Sequence, residues 1–416
     1  MKIPLKKINS IFEYTFLALL VLSMRTVFVH LLTNRLDISL IKILIVVNVL
    51  FLLVFGFRKL TIEKNILVSL AIYYSLAILL FGYNLSIIED GIKSFVFDLF
   101  ILLPLFILLL RGYYIENRLE NLLSKYTDIV FFIAVISLFF WLLGSIFQIL
   151  LPNVTVLSTW ADIKGRPTNG YSYLYFETQR INLLGFTGWR NTAIFTEGPM
   201  YNIILVLAYI QILFLEKRRR LLRELIILFA IISTLSTTGF FAVALVHIYK
   251  IYFKGKLTSK KILFLITLSP IFLISIVFFL YSLATEKLQT GSSAMRLDDV
   301  SAGFMAWKNN LLMGNGYTHL EAIFPYMNMS FRFNTGYSNG IMSILVQGGI
   351  ILFIIYFLPM IFIFFSKYFS RDIKFLIILW LFLIFNTIID TTPLFLFITS
   401  LGYVICFMKM DNKEQL

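Results

Sequence analysis

A cation and an anion stand close together at the start of a long apolar run in this sequence. Arg190 and Glu197 lie in the stretch GFTGWRNTAIFTEGP, and the residues after it read MYNIILVLAYIQILFL. Seven residues make about two helical turns, so a helix from about residue 190 would hold both side chains on one face, with Glu197 roughly 10 Å deeper. Gly198 and Pro199 would loosen that helix, because proline removes a backbone donor and disfavours helical geometry before it.

A carboxylate at this position has a chemical use. Ionisable groups within a membrane are costly and usually face a bundle interior or a wet cavity. A partly apolar site raises the basicity of a carboxylate, which suits Glu197 to act as a general base. Asp298 and Asp299 are second choices for that role. The alternative is that Arg190 and Glu197 form an ion pair that only fixes the helix end.

A second group of cations lies in the polar segment 285–339. Arg296 precedes an amphipathic stretch with Phe304 and Trp307, and Arg332 follows later. The arginine fork suits phosphate or pyrophosphate, which it grips with two parallel hydrogen bonds. The alternative is a solvated loop in which these arginines pair with neighbouring acids. The acids available for such pairing are Asp298, Asp299 and Glu321.

Composition indicates the class of protein that must position these residues. The chain has 416 residues, of which 59% are hydrophobic and 14% charged, with a mean hydropathy of +0.89. A soluble domain has about a quarter of its residues charged, and apolar runs of about 20 residues are long enough to cross a bilayer. A single cysteine excludes a disulfide framework and a thiolate metal site. We therefore predict an all-α polytopic membrane protein, 1–416, as one integral membrane domain.

Apolar runs predict about twelve transmembrane helices with uncertain ends. The predicted spans are 11–32, 39–57, 66–83, 92–110, 129–151, 190–215, 221–236, 238–253, 262–284, 340–365, 372–390 and 393–408. Most Lys and Arg residues fall in one alternate set of connections, which the positive-inside rule assigns to the cytoplasm. The net charge of +14 is thereby explained mostly by topology, and no nucleic-acid partner is expected. Both termini are predicted to be cytoplasmic.

Two long polar segments are predicted on the external side, at 152–189 and 285–339. Their cations are not explained by the charge rule, because long loops are exempt from it. The first segment carries Arg180, and the second carries His319, which we interpret as a solvated loop residue. The first also carries a cluster of aromatics that could be interface anchors or sugar-stacking platforms: Tyr171, Tyr173, Tyr175 and Phe176.

The stretch Arg190–Pro199 resembles the R-x-x-G-x-F-x-E-P signature of the O-antigen polymerase/ligase superfamily of bacterial polysaccharide assembly. Further similarities follow in the same order from about residue 185 to 350. They are the Ser/Thr-rich break Leu235–Gly239, then Arg296 with Trp307 and Gly314-x-Gly316, then Ser338-Asn339 followed by Gly349. The resemblance implies a GT-C-like membrane fold with a large external loop.

The sequence departs from the family pattern at four positions. Ala193 replaces the usual Gly, Gly198 separates the Glu from the Pro, and Thr238 stands where many members have Arg. Ser338 occupies the place where the ligases carry a His before the Asn. The missing His favours the polymerase branch over the ligase branch.

The resemblance implies a polymerase of the Wzy type that joins lipid-linked oligosaccharides at the outer face of the bacterial inner membrane. The growing glycan would move from polyprenyl pyrophosphate to a hydroxyl of the incoming repeat unit, without a metal or other cofactor. A chain-length regulator is a possible partner. Glu197, Arg190 and Arg296 are the expected catalytic residues. The expected substrate-binding residues are Arg180, Arg332, Asp298, Asn339 and His319. The alternatives are a flippase for the same lipids and a ligase-type transferase.

Two further charges are predicted within the membrane. Arg25 and Asp98 lie about seven and six residues from the outer ends of spans one and four, which puts both near 10 Å deep at ~1.5 Å per residue. We expect them to pair as a structural clamp. Glu13, near the cytoplasmic end of the first span, is expected to pair with nearby lysines.

Overall fold

A computed structural model describes residues 5–32, 36–57, 64–87, 91–157, 165, 167–183, 186–216, 220–254, 292–330, 332 and 335–411. The first part of the chain forms helices with short connections. Their bounds are α1 (Leu5–Leu22), α2 (Val27–His30), α3 (Ile38–Phe55), α4 (Lys64–Leu85), α5 (Ile92–Phe95), α6 (Leu103–Ile115) and α7 (Leu119–Phe140). Two π-helical segments continue this series, Val96–Leu102 between α5 and α6 and Trp141–Ile146 after α7.

Five short strands follow, and then the remaining helices. The strands are β1 (Val154–Leu157), β2 (Pro167–Tyr171), β3 (Tyr175–Phe176), β4 (Arg180–Leu183) and β5 (Phe186–Trp189). The helices are α8 (Gly198–Phe214), α9 (Leu221–Ser233), α10 (Thr237–Tyr249), α11 (Ser292–Lys308), α12 (Gly340–Phe365), α13 (Arg371–Phe385) and α14 (Pro393–Asp411). A π-helical segment, Lys250–Lys254, extends α10, and a 3-10 helix, Leu320–Tyr326, lies between α11 and α12.

Within the described residues, five helical stretches are long and apolar enough to cross a membrane. They are Ile38–Phe55, Leu67–Leu85, Ile92–Ile115, Leu119–Ile146 and Gly340–Phe365, and shorter apolar helices cover Gly198–Phe214, Thr237–Phe253 and Pro393–Cys406. The protein is a mostly helical, multi-pass membrane protein. Helices lie in eleven of the twelve predicted ranges, and the range 262–284 is outside the described residues. The total of twelve spans and the GT-C-like architecture stay predictions.

The segment 152–189 contains strands, which the all-α prediction missed. Strands β1, β2 and β3 form one antiparallel sheet, and β4 pairs with β5 in a hairpin. The buried carboxylate of Glu177 ties this region to the bundle, because it accepts hydrogen bonds from Ser145 at 2.7 Å, Tyr171 at 3.1 Å and Asn169 at 3.2 Å. The alternation of apolar and polar residues in this polar segment is too short to predict these strands.

The aromatic residues of this region pack mostly inward. Tyr171, Tyr175 and Phe176 are at most 4% exposed, whereas Tyr173 is half exposed. The buried three therefore stabilise the fold, and only Tyr173 is open to lipid or sugar.

Edge-to-face aromatic contacts join the helices at the centre of the bundle. Phe16 of α1, Phe106 of α6 and Phe397 of α14 lie with ring centroids 5.6–5.9 Å apart. All three are buried. Offset and edge-to-face pairs stabilise packing beyond the area that they bury, so this trio fixes α1 against α6 and α14.

Helix α12 is interrupted at Gly349, which has a φ of +59°. A Cβ there would overlap the backbone of Leu312, so only glycine fits. The break lets Ile350 and Ile351 donate their backbone N–H groups to Leu311 and Leu312 at 2.9 and 3.1 Å. The chain that follows α11 is thus bonded directly to α12.

The predicted pair of Arg25 and Asp98 was wrong. Asp98 is fully buried and pairs with Lys42 of α3 at 2.6 Å, and the Tyr317 hydroxyl donates to it at 3.1 Å. Arg25 pairs with Glu197 instead. Counting residues gave the depth of each charge, but not which face of each helix turns toward which neighbour.

At the other side of the bundle the prediction for Glu13 is confirmed. Its carboxylate pairs with Lys125 and with Arg118, the latter at 2.9 Å, and accepts a hydrogen bond from the Tyr113 hydroxyl at 2.7 Å. The helices of the bundle run between two ends, which we name by the helices that begin or stop there. We call the end where α1 stops and α8 and α12 start the site end. We call the end where α7, α9 and α13 start the opposite end.

Candidate functional site

The loop before α8 is bonded to the chain that follows α1. The Val27 N–H donates to the Ile194 carbonyl at 2.8 Å, and Thr196 donates from its backbone and hydroxyl to the Arg25 carbonyl at 3.0 and 3.1 Å. Thr26 forms an isolated bridge with Phe195. These bonds hold residues 190–197 in a non-helical conformation, so the prediction of a helix from about residue 190 was wrong.

Helix α8 begins at Gly198, with Glu197 as its N-cap residue and Pro199 in its first turn. Proline is favoured there because the first helical N–H groups have no partner within the helix. The Gly-Pro step therefore starts the helix, rather than loosening one already formed. Glu197 is extended, with φ −145° and ψ 146°, and its side chain makes no capping hydrogen bond. Its carboxylate is left available to face the surrounding cations.

Arg25 lies nearest to this carboxylate. Its Nη1 is 3.7 Å from Glu197 Oε1, and the two side chains keep 28% and 21% exposure. The backbone of Arg25 has a φ of +31°, which residues other than glycine rarely adopt. The bonds from Thr196 to its carbonyl hold that conformation. A loose, partly exposed pair leaves room for an anionic ligand to contact the guanidinium.

Arg190 approaches Glu197 from the other side of the α8 start. It donates to Gln179 Oε1 and to the Leu235 carbonyl, both at 3.2 Å. Gln179 Oε1 also accepts the Gly198 N–H at 3.0 Å, so one amide positions both the arginine and the helix start. A Cβ at Gly198 would lie 2.9 Å from Arg190 Cδ. The glycine between Glu and Pro thus makes room for the arginine.

The turn between α9 and α10 reaches the site. Leu235, with φ +49°, presents its carbonyl to Arg190, and the Ser233 carbonyl accepts the Asn191 N–H at 3.0 Å. The two short predicted spans therefore form a hairpin whose tip is part of the site. Thr238, at the family's Arg position, is buried and lacks a partner for its hydroxyl among the described residues.

Arg296 brings a third guanidinium group from α11. Its Nη1 donates to Asn386 Oδ1 at 3.2 Å, in the connection between α13 and α14. The positive charges of Arg296 and Arg190 act on each other, and the Glu197 charge acts on Arg190. Residues from distant parts of the chain therefore converge on one electrostatic cluster. We call Arg25, Arg190, Arg296 and Glu197 the guanidinium cluster.

The ionisation of this cluster depends on burial and on mutual charge. Glu197, Arg190 and Arg296 all lie outside the spanning helices. Burial raises the pKa of Glu197, and the charges of Arg25 and Arg190 oppose that rise. Burial lowers the pKa of Arg190 to about 10; the charge of Glu197 opposes this shift and that of Arg296 adds to it. Burial also lowers the pKa of Arg296. The charge of Arg25 also acts on Asp390, and the charge of Asp299 acts on Arg296, so the cluster sets three guanidinium groups among three carboxylates.

Arg332 forms close ion pairs with two aspartates, unlike the arginines of the guanidinium cluster. Its buried guanidinium donates to Asp298 and Asp299, both at 2.6 Å, and Ser338 donates from its backbone and hydroxyl to Asp299 at 2.9 and 2.6 Å. The pairing alternative raised from the sequence therefore holds for Arg332 with both aspartates. Asn339 caps α12 by accepting the Met342 N–H at 2.9 Å. This group fixes the chain before α12, and its binding roles stay predictions.

The remaining predicted residues lie apart from the cluster. Arg180 is an exposed residue of β4, one position after Gln179, which bonds Arg190. His319 is half-buried, and its Nδ1 lies 3.1 Å from the Asn315 carbonyl within its own turn. Neither is brought to Glu197 by any contact among the described residues.

Sequence reasoning missed a buried carboxylate next to the cluster. Asp390 is 1% exposed and accepts hydrogen bonds from Ser343 at 3.0 Å and Gln347 at 2.5 Å, and the charge of Arg25 acts on it. Gln347 Oε1 in turn accepts the Thr318 N–H at 2.8 Å. The sequence feature that could have indicated Asp390 as a site residue is its position as an acid at the end of a predicted span. Arg25 and Asn386 were missed as site residues because they lie far away along the chain, whereas Gln179 lies near Arg190 and was missed because an uncharged amide in a polar segment carries no signal of its own.

A comparison with family descriptions finds one match. Residues 222–357 match the family described as O-antigen ligase, which confirms the predicted resemblance to the O-antigen polymerase/ligase superfamily. The matched range includes the α9–α10 tip and Arg296, whereas Arg25, Arg190 and Glu197 precede it. No curated protein matches the chain, and no solved structure matches it.

Proposed function

We propose, on the premise that residues 222–357 match the family described as O-antigen ligase, that the chain is a polymerase of lipid-linked oligosaccharide repeat units. It transfers the growing glycan from polyprenyl pyrophosphate to a hydroxyl of the incoming unit. The site end faces the outside of the bacterial inner membrane, and both termini are cytoplasmic. This orientation rests on the distribution of Lys and Arg along the sequence.

The observation that carries the proposal is the guanidinium cluster. Arg25 and Glu197 pair at 3.7 Å with both side chains partly exposed, and Arg190 and Arg296 add two charges within electrostatic range. A pyrophosphate leaving group gains negative charge as the glycosidic bond breaks, so fixed cations stabilise the transition state. The partly exposed Arg25 guanidinium, 3.7 Å from its carboxylate partner, supports a phosphate-bearing substrate.

The reaction needs one proton acceptor. The acceptor hydroxyl oxygen attacks the anomeric carbon, the bond from that carbon to the pyrophosphate oxygen breaks, and the electron pair leaves on the pyrophosphate. The hydroxyl proton passes to Glu197, whose basicity is raised by burial. The charges of Arg25 and Arg190 oppose the effect of burial on the pKa of Glu197 and so favour the ionised carboxylate that this step requires.

The polymerase is favoured over a ligase by the environment of Ser338. The sequence has Ser where the ligases have His, and in the structure this side chain is bound to Asp299 at 2.6 Å. His319 bonds within its own turn and offers no substitute. Glu197 is then the proton acceptor of choice, as the sequence also suggests.

A reconstitution assay tests the proposal. The purified protein in lipid vesicles is given polyprenyl-pyrophosphate-linked oligosaccharide, and product length is read on a gel. The wild-type protein should extend the glycan, and Glu197→Gln should reduce the rate at least about a hundredfold, in the range typical of a lost general base. Glu321→Gln is the matched control, because Glu321 is an exposed carboxylate of the site end.

Other outcomes would count against the proposal. Movement of the lipid across the bilayer without chain growth would indicate a flippase. Transfer of glycan only to a different acceptor would indicate a ligase. A near-normal rate in Glu197→Gln would refute the assignment of the base.

A further inference from the structure

The bundle contains an apolar cavity away from the guanidinium cluster. Its volume is about 300 Å³, and it is enclosed by α7, α8, α12, α13 and α14. Gln211 is its one lining residue with an amide or charged side chain; the others are aliphatic or aromatic, with one glycine. A dry, apolar space of this size does not hold water well, because water needs polar partners. The lining suits hydrocarbon.

The cavity is elongated along α13. On α13 the lining runs from Ile373 to Leu383, which is roughly 15 Å at 1.5 Å per residue. A cavity of this length can hold an extended hydrocarbon chain that lies along α13.

The exposure of the lining residues shows where the cavity opens. Toward the site end, Leu383 is 0% exposed and Leu394 and Phe397 are 2% exposed. Toward the opposite end, Leu215 is 42% exposed, and Leu119 and Ile373 are partly exposed. The lining on α8 starts at Leu207, ten residues or about 15 Å beyond Glu197. Leu207 and Ile398, which line the cavity nearer the site end, are also partly exposed, so the cavity opens along its side as well as at the opposite end, where a chain from that leaflet enters.

Cations lie on one side of this opening. Lys367, Arg371 and Lys374 lie at the start of α13, beside the lining residue Ile373, and each is at least partly exposed. Within the part of the chain that the structure describes, none of the three has a carboxylate at ion-pair distance. The one acid among them, Asp372, accepts a hydrogen bond from the Tyr249 hydroxyl at 2.9 Å. Glu120 and Glu216 follow the lining residues Leu119 and Leu215, so the positive charge is concentrated on the α13 side of the mouth, at the depth of the lipid headgroups of that leaflet.

From this combination we infer that the cavity binds one acyl chain of an anionic phospholipid from the leaflet at the opposite end, with its phosphate at the cations of α13. The lipid packs α13 and α14 against α7 and α8. Because α13 and α14 also supply Asn386 and Asp390 to the site end, the bound lipid sets the position of those residues. The inference concerns lipid binding and does not depend on the proposed polymerase reaction.

Tryptophan fluorescence tests the position of the acyl chain. Trp380 lines the cavity and is one of five tryptophans. Vesicles contain phosphatidylglycerol with bromine atoms in the middle of its acyl chains, which quench a nearby indole. We expect part of the tryptophan fluorescence of the wild-type protein to be quenched. This quenched part should be absent in Trp380→Phe. Ile377→Phe, which fills the cavity, should reduce that component at least twofold.

A neighbouring residue provides the matched control. Ile378 is 48% exposed, whereas Ile377 is 9% exposed and lines the cavity. Ile378→Phe should therefore leave the quenching of Trp380 unchanged. Equal quenching in both phenylalanine variants would overturn the inference, since bromine would then reach Trp380 from the bulk lipid. A wild-type protein without a Trp380 component would overturn it as well.

The headgroup is tested separately by native mass spectrometry after mild delipidation. One phosphatidylglycerol should remain bound to the wild-type protein, and the double variant Arg371→Ala and Lys374→Ala should retain it at least tenfold less. Replacement of the vesicle lipid by phosphatidylcholine should lower the Trp380 quenching. Retention of phosphatidylcholine to the same extent would refute the anionic headgroup, and retention of no lipid would refute the site.

Discussion

Substitution of Arg25 should move the pH dependence of the reaction. Glu197 must be ionised to accept a proton, so activity is present above its pKa and is lost as the pH falls through it. Burial raises this pKa, and the Arg25 charge at 3.7 Å opposes the rise. Arg25→Gln removes the opposing charge. The pKa should then rise further, and the acidic limb of the activity profile should shift to higher pH.

The distance sets the size of the shift. Two unit charges 3.7 Å apart interact by about 1.1 kcal/mol in bulk water and about 4.5 kcal/mol at an effective dielectric constant of about 20. These energies correspond to between about 1 and about 3 pKa units. Because the side chains are 28% and 21% exposed, solvent screens the pair. We expect a shift near the lower bound, about 1 unit.

The assay is the rate of glycan extension by the reconstituted protein at limiting substrate, measured across the acidic range. Arg25→Lys keeps the charge and should leave the limb within about 0.5 unit of the wild type, since ammonium and guanidinium groups differ mainly in hydrogen-bond geometry. Arg220→Gln, at an exposed position of the opposite end, controls for the loss of a positive charge. If Arg25→Gln still extends glycan but the acidic limb of its activity profile is not shifted, the charge of Arg25 does not act on the base Glu197, and the reasoning is refuted.

Three further substitutions have expected outcomes. Gly198→Ala should displace Arg190, because the added Cβ would lie 2.9 Å from Arg190 Cδ; we expect at least a tenfold loss of rate with little change in the unfolding temperature. Arg332→Ala should leave the buried Asp299 and the partly buried Asp298 without their cation and lower the free energy of unfolding by about 3 kcal/mol, which chemical denaturation in detergent would measure. Lys42→Met should destabilise the bundle by a similar amount, because Asp98 is fully buried. The double variant Lys42→Met and Asp98→Leu should recover most of the loss, and a double variant no more stable than Lys42→Met would contradict this reasoning.

The sequence predicted the class of the protein and the residue types of its candidate site. Long apolar runs require spanning helices because backbone polar groups have no water to bond in hydrocarbon. The motif from Arg190 to Pro199 and the later position of Arg296 indicated two polar segments that share a site, and in the structure the charges of Glu197 and Arg296 both act on Arg190. The match over residues 222–357 supports the same region. These features are local in the chain, and so are readable from it.

The tertiary structure decided which residues meet. Hydropathy and spacing give the depth of a side chain and its period along one helix, but not the rotation of that helix against its neighbours. For this reason Arg25 was predicted to pair with Asp98 and instead lies at Glu197, while Lys42 takes Asp98. The start of α8 at Gly198 likewise depends on hydrogen bonds between the loop before it and the chain after α1. Contacts between segments so distant along the chain arise only when the whole bundle packs.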